Sequence, residues 1–248
     1  MDWRESDGVR WLAAELPGAS AAFSTRLGGV SAGSYESLNL GILTEDEPVA
    51  VRENRRRLSL ALGLEPKRVV IGRQVHGGEI ARHERPQEPA PWATPGPDPP
   101  EVDGHVLVEP GLAGLVFVAD CLPIALAGPQ SVAIIHGGWR GLAAGIVGRG
   151  VEAVGATAAA VGPGIGPCCF EVGEEVLAAF APLGRGLAKG RMLDLVAVAR
   201  RMLERAGVAE DAIESADLCT KCNPDLFFSH RGQGSETGRQ AGVAWGEA

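Results

Sequence analysis

Along this chain, short apolar runs bounded by turn residues alternate with segments whose apolar positions recur every three to four residues. The runs at 69–71, 106–108, 115–118, 132–135 and 158–161 predict strands. The segments 48–64, 142–154, 172–180 and 193–206 predict helices. In the first of these, Val51, Leu58 and Leu62 form the dry face and the run Arg55-Arg56-Arg57 the wet one; in the last, Leu195, Val198, Ala199, Met202 and Leu203 share one side. The elements interleave without strict strand–helix–strand order. The expected fold class is therefore α+β, a single compact domain over residues 1–248 with mixed β-sheets covered by helices. One stretch, 84–102, carries too many prolines for a helix or a central strand and reads as a surface loop of polyproline character.

Composition narrows the function. Of 248 residues, 45% are hydrophobic and 22% charged, the balance of an ordinary folded protein. A net charge of −8 argues against nucleic acid as a partner, although a local basic pocket for a small anion stays open. No run approaches the roughly 18 apolar residues of a membrane span, and the opening Met1-Asp2-Trp3-Arg4-Glu5 lacks the apolar core of a secretion signal. The cytoplasm is the expected compartment. There, five cysteines read as thiols or metal ligands rather than disulfides.

Three apolar runs end in chemically useful side chains. The first leads into Gln74-Val75-His76-Gly77, the second into Asp120-Cys121, and the third into His136-Gly137-Gly138. If these strands share a sheet, His76, Cys121 and His136 converge. Two imidazoles and one thiolate suit Zn²⁺, with a fourth position left open as in a catalytic site; the same donors can hold Cu²⁺. Independent structural roles for the three residues are the plainer alternative.

Around them lie candidates for an anion. Gly137 and Gly138 precede a helix start, where free N–H groups and Arg140 could meet phosphate. Arg26, in a glycine-bearing loop, is a second candidate. Asp120, beside the thiol, is a candidate for proton transfer or for supporting the ligands. His83 reads as solvated, and His105 and His230 as structural or supporting.

Cys219-Thr220-Lys221-Cys222 has CxxC spacing but no second pair. Adjacent Cys168 and Cys169 would point apart on an extended backbone, so these four cysteines are not expected to bind metal.

Taken together, these segments resemble the laccase-domain family, also called multicopper polyphenol oxidase-like, whose bacterial members look like purine nucleoside phosphorylases. The matching pieces run in order from Thr25-Arg26-Leu27-Gly28-Gly29-Val30-Ser31 and Ser37-Leu38-Asn39-Leu40 through Gln74-Val75-His76-Gly77, Val102-Asp103-Gly104 and Ala119-Asp120-Cys121-Leu122-Pro123. They continue with His136-Gly137-Gly138-Trp139-Arg140-Gly141, the turn from Gly162 into Cys169-Phe170-Glu171-Val172, Cys219-Thr220, and Phe227-Phe228-Ser229-His230-Arg231 before Thr237-Gly238-Arg239. The resemblance implies a zinc site at His76, Cys121 and His136. It implies substrate contacts that include Asn39, and partners that are a small nucleoside and phosphate. It also implies phosphorolysis of adenosine, inosine and methylthioadenosine, with adenosine deamination beside it. The chain departs from the family at Gly137, where alanine is usual, and at Gly232-Gln233-Gly234-Ser235-Glu236, which interrupts an arginine-rich segment.

Two rival readings use the same residues. Cys121 and His136 could serve a metal-free cysteine hydrolase, or the metal could stabilise a binding protein without turnover. Multicopper oxidation is excluded, because several copper ions would each need imidazole ligands and the chain has five histidines.

Overall fold

The strand-forming runs build two stacked six-stranded sheets, described by a computed structural model over residues 1–41, 43–94 and 98–247. In chain order the strands are β1 (Asp2–Ser6), β2 (Val9–Leu16), β3 (Ala19–Ser24), β4 (Val69–Val70), β5 (Ile80–His83), β6 (Gly104–Leu107) and β7 (Ala113–Val118). They continue with β8 (Leu122–Ala127), β9 (Val132–Gly137), β10 (Ala158–Val161), β11 (Ala188–Lys189), β12 (Met192–Leu193), β13 (Ile213–Ser215) and β14 (Gln240–Gly246). The helices are α1 (Pro48–Ala61), α2 (Trp139–Ala143), α3 (Ile146–Val154), α4 (Glu174–Phe180), α5 (Leu195–Arg205) and the short α6 (His230–Gln233).

β11 and β12 pair apart from both sheets, of which the first has the order β1-β2-β3-β14-β7-β4 and the second β13-β10-β8-β9-β6-β5. Each is antiparallel except for parallel pairs at its margin: β4 with β7, β5 with β6, and β10 with β13. Between the sheets lies a seam rich in small side chains, with Ala14, Ala21, Ala125, Ala127, Ala158, Ala160 and Ala244 around Phe23, Val116 and Ile134. The outer face of the second sheet is covered by α3, α4 and α5 through Val147, Val151, Val176, Phe180, Val198 and Leu203. On the other side, Leu58 of α1, Leu38, Leu40 and Trp92 cover the first sheet. The mixed, helix-covered sheets expected from the sequence are thus present.

Three local expectations need correction. The helix expected over 142–154 is two helices, because Gly145 turns left-handed at φ +86° between α2 and α3. Arg55 is not on the wet face of α1. It is 4% exposed, lies over the Trp92 ring at 4.6 Å, and donates to the carbonyls of Leu40 and Pro91. Burial lowers its pKa to about 9. The proline-rich stretch is pinned rather than free, because buried Trp92 donates Nε1–H to Ser59 and Gln87 pairs with both backbone groups of Ile71. Pro95 and Pro97 lie outside the described residues.

Candidate metal centre and its cavity

The three strands that end in His76, Cys121 and His136 do not share a sheet. β4 and β7 belong to the first sheet and β9 to the second. The side chains meet instead at one end of the sandwich, where the chain crosses between the sheets. That crossing is Ala119-Asp120-Cys121, between β7 and β8, and Asp120 makes it with a left-handed φ of +94°. His76 has φ +59°, which turns its imidazole back toward the crossing. Left-handed backbone is uncommon outside glycine, and Asp and His are among the residues that tolerate it best.

One donor atom from each of His76, Cys121 and His136 lies within 4.8 Å of the others. His136 is buried, Cys121 half-buried and His76 exposed, so the triad runs from the interior to the mouth of a cavity. Asp103, fully buried, organises both histidines. Its Oδ1 accepts from His136 Nδ1 at 2.9 Å and from the His76 backbone N–H at 2.9 Å. Its Oδ2 accepts the N–H groups of Val75 at 3.1 Å and Gly77 at 2.7 Å. With Nδ1 engaged, His136 aims Nε2 at the cavity. Gln74 adds a double clasp to the backbone of Phe117 in β7.

Electrostatics follow from this packing. Burial alone would push the Cys121 thiol up, but His136 and His76 outweigh it and bring the thiol well below its ordinary value. Burial alone would lower the His136 imidazole, yet Cys121 and Asp103 raise it. The pair therefore favours a thiolate beside a cationic ring, the state that a positive metal ion replaces by displacing the proton. Burial also works against the Asp103 carboxylate, but His136 and the N–H groups of Gly77 and Val75 hold its pKa low.

The cavity measures about 420 Å³, within the range of small-molecule sites. Phe117, Trp139 and Phe170 supply aromatic wall, and Arg140, Arg231 and Arg239 supply positive charge. Asp120 lies in the wall with both carboxylate oxygens engaged, by the Thr220 hydroxyl at 2.6 Å and the Arg231 N–H at 2.6 Å. The interrupted arginine-rich segment is therefore ordered: Ser229 caps α6, and α6 delivers the Arg231 N–H to Asp120.

Not every sequence candidate reaches the cavity. Arg140 lines it, with its guanidinium 4.4 Å over the Trp139 ring. Arg26 does not; it holds the carbonyls of Glu36 and Pro224 and covers the Phe228 ring at 4.6 Å. Asn39 is fully buried and braces the Arg239 backbone N–H, Thr44 and Asp46. Gly137 ends β9 and Gly138 precedes α2, and neither is among the residues that line the cavity. A Cβ at Gly138 would lie 3.0 Å from His76 Cδ2 and 3.1 Å from Cys121 Sγ.

Other residues change role. His83 is buried, not solvated, and its Nε2 shares a 3.0 Å hydrogen bond with Nδ1 of buried His105. Cys168 and Cys169 do not point apart. They sit in a turn over 167–169, where the two-sided alternation of extended backbone is lost, and both sulfurs lie 3.4 Å from Cys222 Sγ. Sequence reasoning gave no role to Asp103, Thr220 or Arg239; the segments Val102-Asp103-Gly104, Cys219-Thr220 and Thr237-Gly238-Arg239 were the available signal.

Comparison with known proteins agrees with this architecture. The family described as multi-copper polyphenol oxidoreductase laccase matches residues 20–247. A purine nucleoside phosphorylase of Streptomyces coelicolor is 40% identical over 246 residues, covering 92% of this chain and 96% of its own. The purine nucleoside phosphorylase YlmD of Geobacillus stearothermophilus is 36% identical over 254 residues, covering 92% of each. The crystal structure of YlmD superposes with a TM-score of 0.87 at 32% identity, over 99% of this chain and 98% of that one. The Bacillus licheniformis YfiH structure gives 0.88 at 28% identity, over 99% of both. With a match of this extent in sequence and in fold, the chain belongs to the multi-copper polyphenol oxidoreductase laccase family.

Proposed function

We propose that this protein is a zinc-dependent purine nucleoside phosphorylase acting on adenosine, inosine and methylthioadenosine, with adenosine deamination as a second activity. The observation that carries the reading is the convergence of His76, Cys121 and His136 at a cavity with aromatic walls and arginines. The names of the relatives support the same reaction.

Two imidazole nitrogens and one depressed thiol fit Zn²⁺, with the cavity side left for a fourth ligand. Bound there, the ion would supply a Lewis acid beside the substrate. The remaining work falls to the chain's own residues. In phosphorolysis the bond from the sugar carbon to the purine nitrogen breaks, and a phosphate oxygen bonds to that carbon. Positive charge gathers on the sugar, and the departing base takes the electron pair. Phe117, Trp139 and Phe170 offer flat apolar surface for a purine. Arg140 and Arg231, at the wall of the same cavity, neutralise and orient phosphate. Asp120, fixed by Thr220 and the Arg231 N–H, holds a negative charge near the developing sugar cation.

The test is conversion of inosine to hypoxanthine by the metal-loaded protein with and without phosphate. Release only with phosphate is the expected result; equal release without it means hydrolysis.

A second reading also has an observation behind it. Cys121, His136 and Asp103 are linked in the order nucleophile, base and orienting carboxylate, as in cysteine hydrolases. His76, on the same sulfur, favours metal, because a thiolate nucleophile needs one imidazole and not two. Activity retained after full metal removal would decide for the hydrolase.

A further inference from the structure

Away from the His76–Cys121–His136 cluster, the other four of the chain's five cysteines meet at one point. Their sulfurs all lie within 4.8 Å of one another, although they come from turns some fifty residues apart, with 54 separating Cys168 from Cys222. Cys168 and Cys169 stand on the turn that leaves Gly166, and Cys219 and Cys222 on the turn that follows β13. The two turns are tied by backbone bonds, from Thr220 N–H to the Gly164 carbonyl at 2.9 Å and from Gly164 N–H to the Leu218 carbonyl at 3.3 Å.

We propose that Cys168, Cys169, Cys219 and Cys222 form a second metal site, a closed tetrathiolate centre that holds one structural Zn²⁺. Four thiolates around zinc at about 2.3 Å stand about 3.8 Å apart. The 3.4 Å separations from Cys222 to Cys168 and to Cys169, and the 4.8 Å limit on the whole set, bracket that spacing. Thiolates select thiophilic cations with tetrahedral preference, and four of them leave no open position, so the site is structural and not catalytic. A disulfide pairing explains the geometry less well. Cys222 Sγ stands equally close, at 3.4 Å, to Cys168 and to Cys169, whereas a disulfide joins each sulfur to one partner.

The centre also bears on the cavity. Thr220 lies between the two cysteines of the CxxC segment and donates to Asp120, while Ile165, on the other turn, donates its N–H to the Asp120 carbonyl. Both turns thus grip the residue before Cys121, and a metal clip joining them stiffens that crossing.

The site does not depend on the proposed reaction, and metal counting separates the two. The full chain, purified under reducing conditions, should carry two zinc ions. Cys121→Ser should keep one, Cys222→Ser should keep one, and the double variant should keep none. If Cys222→Ser fails to fold, Co²⁺ loaded into Cys121→Ser gives the answer without it. Intense sulfur-to-cobalt charge-transfer bands with tetrahedral visible bands support the tetrathiolate centre; a pale octahedral spectrum overturns it. An unchanged zinc count in Cys222→Ser also overturns it, as does iron in place of zinc. So does a mass deficit of one or two pairs of hydrogens in protein purified without reductant, which would mark these cysteines as disulfides.

Discussion

Asp103 and His136 share a 2.9 Å hydrogen bond from Nδ1 to Oδ1, and the same carboxylate gathers three backbone N–H groups from the turn that carries His76. One buried residue therefore aims both imidazoles of the candidate metal centre, and its charge fits four donors arranged two to each oxygen.

That arrangement makes Asp103→Asn a sharp test. An asparagine carries one acceptor and one NH₂. Placed with its NH₂ at Oδ2, it opposes the N–H groups of Val75 and Gly77; flipped, it opposes those of His136 and His76. Either orientation sets donor against donor in a buried site, at about 1–3 kcal/mol of stability. Metal affinity should fall roughly 10- to 100-fold, as for other residues that orient a ligand. Competition with a chelator of known affinity reads this out. Wild-type affinity in Asp103→Asn would show that the histidines hold their places unaided.

Gly138→Ala separates the metal centre from the fold. Gly138 has φ −73° and ψ 155°, a conformation open to alanine, so the backbone raises no objection. The added methyl meets His76 and Cys121 at 3.0 and 3.1 Å, atoms of the metal centre itself. The strain falls on the ligands, so zinc should bind more weakly while the melting temperature of the metal-free protein changes little. Equal losses in both would place the cost in the scaffold instead.

His83 and His105 predict a pH dependence of stability. Burial lowers both imidazoles, His105 to about 3, and their shared hydrogen bond requires one ring nitrogen to stay unprotonated. In the unfolded chain each titrates near 6.5. Below that pH the unfolded state binds protons that the folded state refuses. The stabilisation is therefore complete above pH 6.5 and lost as pH falls toward 3, by up to about 1.4 kcal/mol per pH unit for each proton. Urea unfolding at pH 7.5, 6.5 and 5.5 should show this decline. It should be shallower in His105→Gln; identical slopes would remove the pair as its source.

These residues also mark how far a sequence can be read. β4, β7 and β9 were legible because their runs are apolar, rich in Val and Ile, and bounded by turns, and the alanine-rich β10 because its apolar run stops at Gly162-Pro163. β3 and β14 were not, because small residues make up half or more of each, with three alanines in β3 and two alanines and two glycines in β14, and propensity favours neither strand nor any period. Those small residues exist for a tertiary reason, the close seam between the sheets, and a Cβ at Gly162 would strike the Phe23 ring at 2.4 Å. His76, Cys121 and His136 could be named from chemistry and from family resemblance, but their meeting across two sheets is a product of topology. The four-cysteine cluster was missed because a turn at 167–169 cancels the alternation that an extended chain imposes on neighbours.

The last prediction sets Arg26 against Arg140. Both looked like anion contacts in the sequence, but their surroundings differ. Arg26 spends its guanidinium on the carbonyls of Glu36 and Pro224, and so joins the loop after β3 to the segment before α6. Arg140 is exposed, keeps its charge at the cavity wall, and rests on Trp139. Arg26→Ala removes two guanidinium–carbonyl hydrogen bonds and the contact over the Phe228 ring and should lower stability by about 1 kcal/mol, water taking up the exposed carbonyls, with the KM for phosphate unchanged. Arg140→Ala should leave stability within about 0.5 kcal/mol of wild type and raise the KM for phosphate, because an exposed side chain supports little of the fold while its charge faces the anion. Urea unfolding together with phosphate saturation at fixed inosine measures both effects. A raised KM for phosphate in Arg26→Ala, with none in Arg140→Ala, would move the anion site to the other side of the loop after β3.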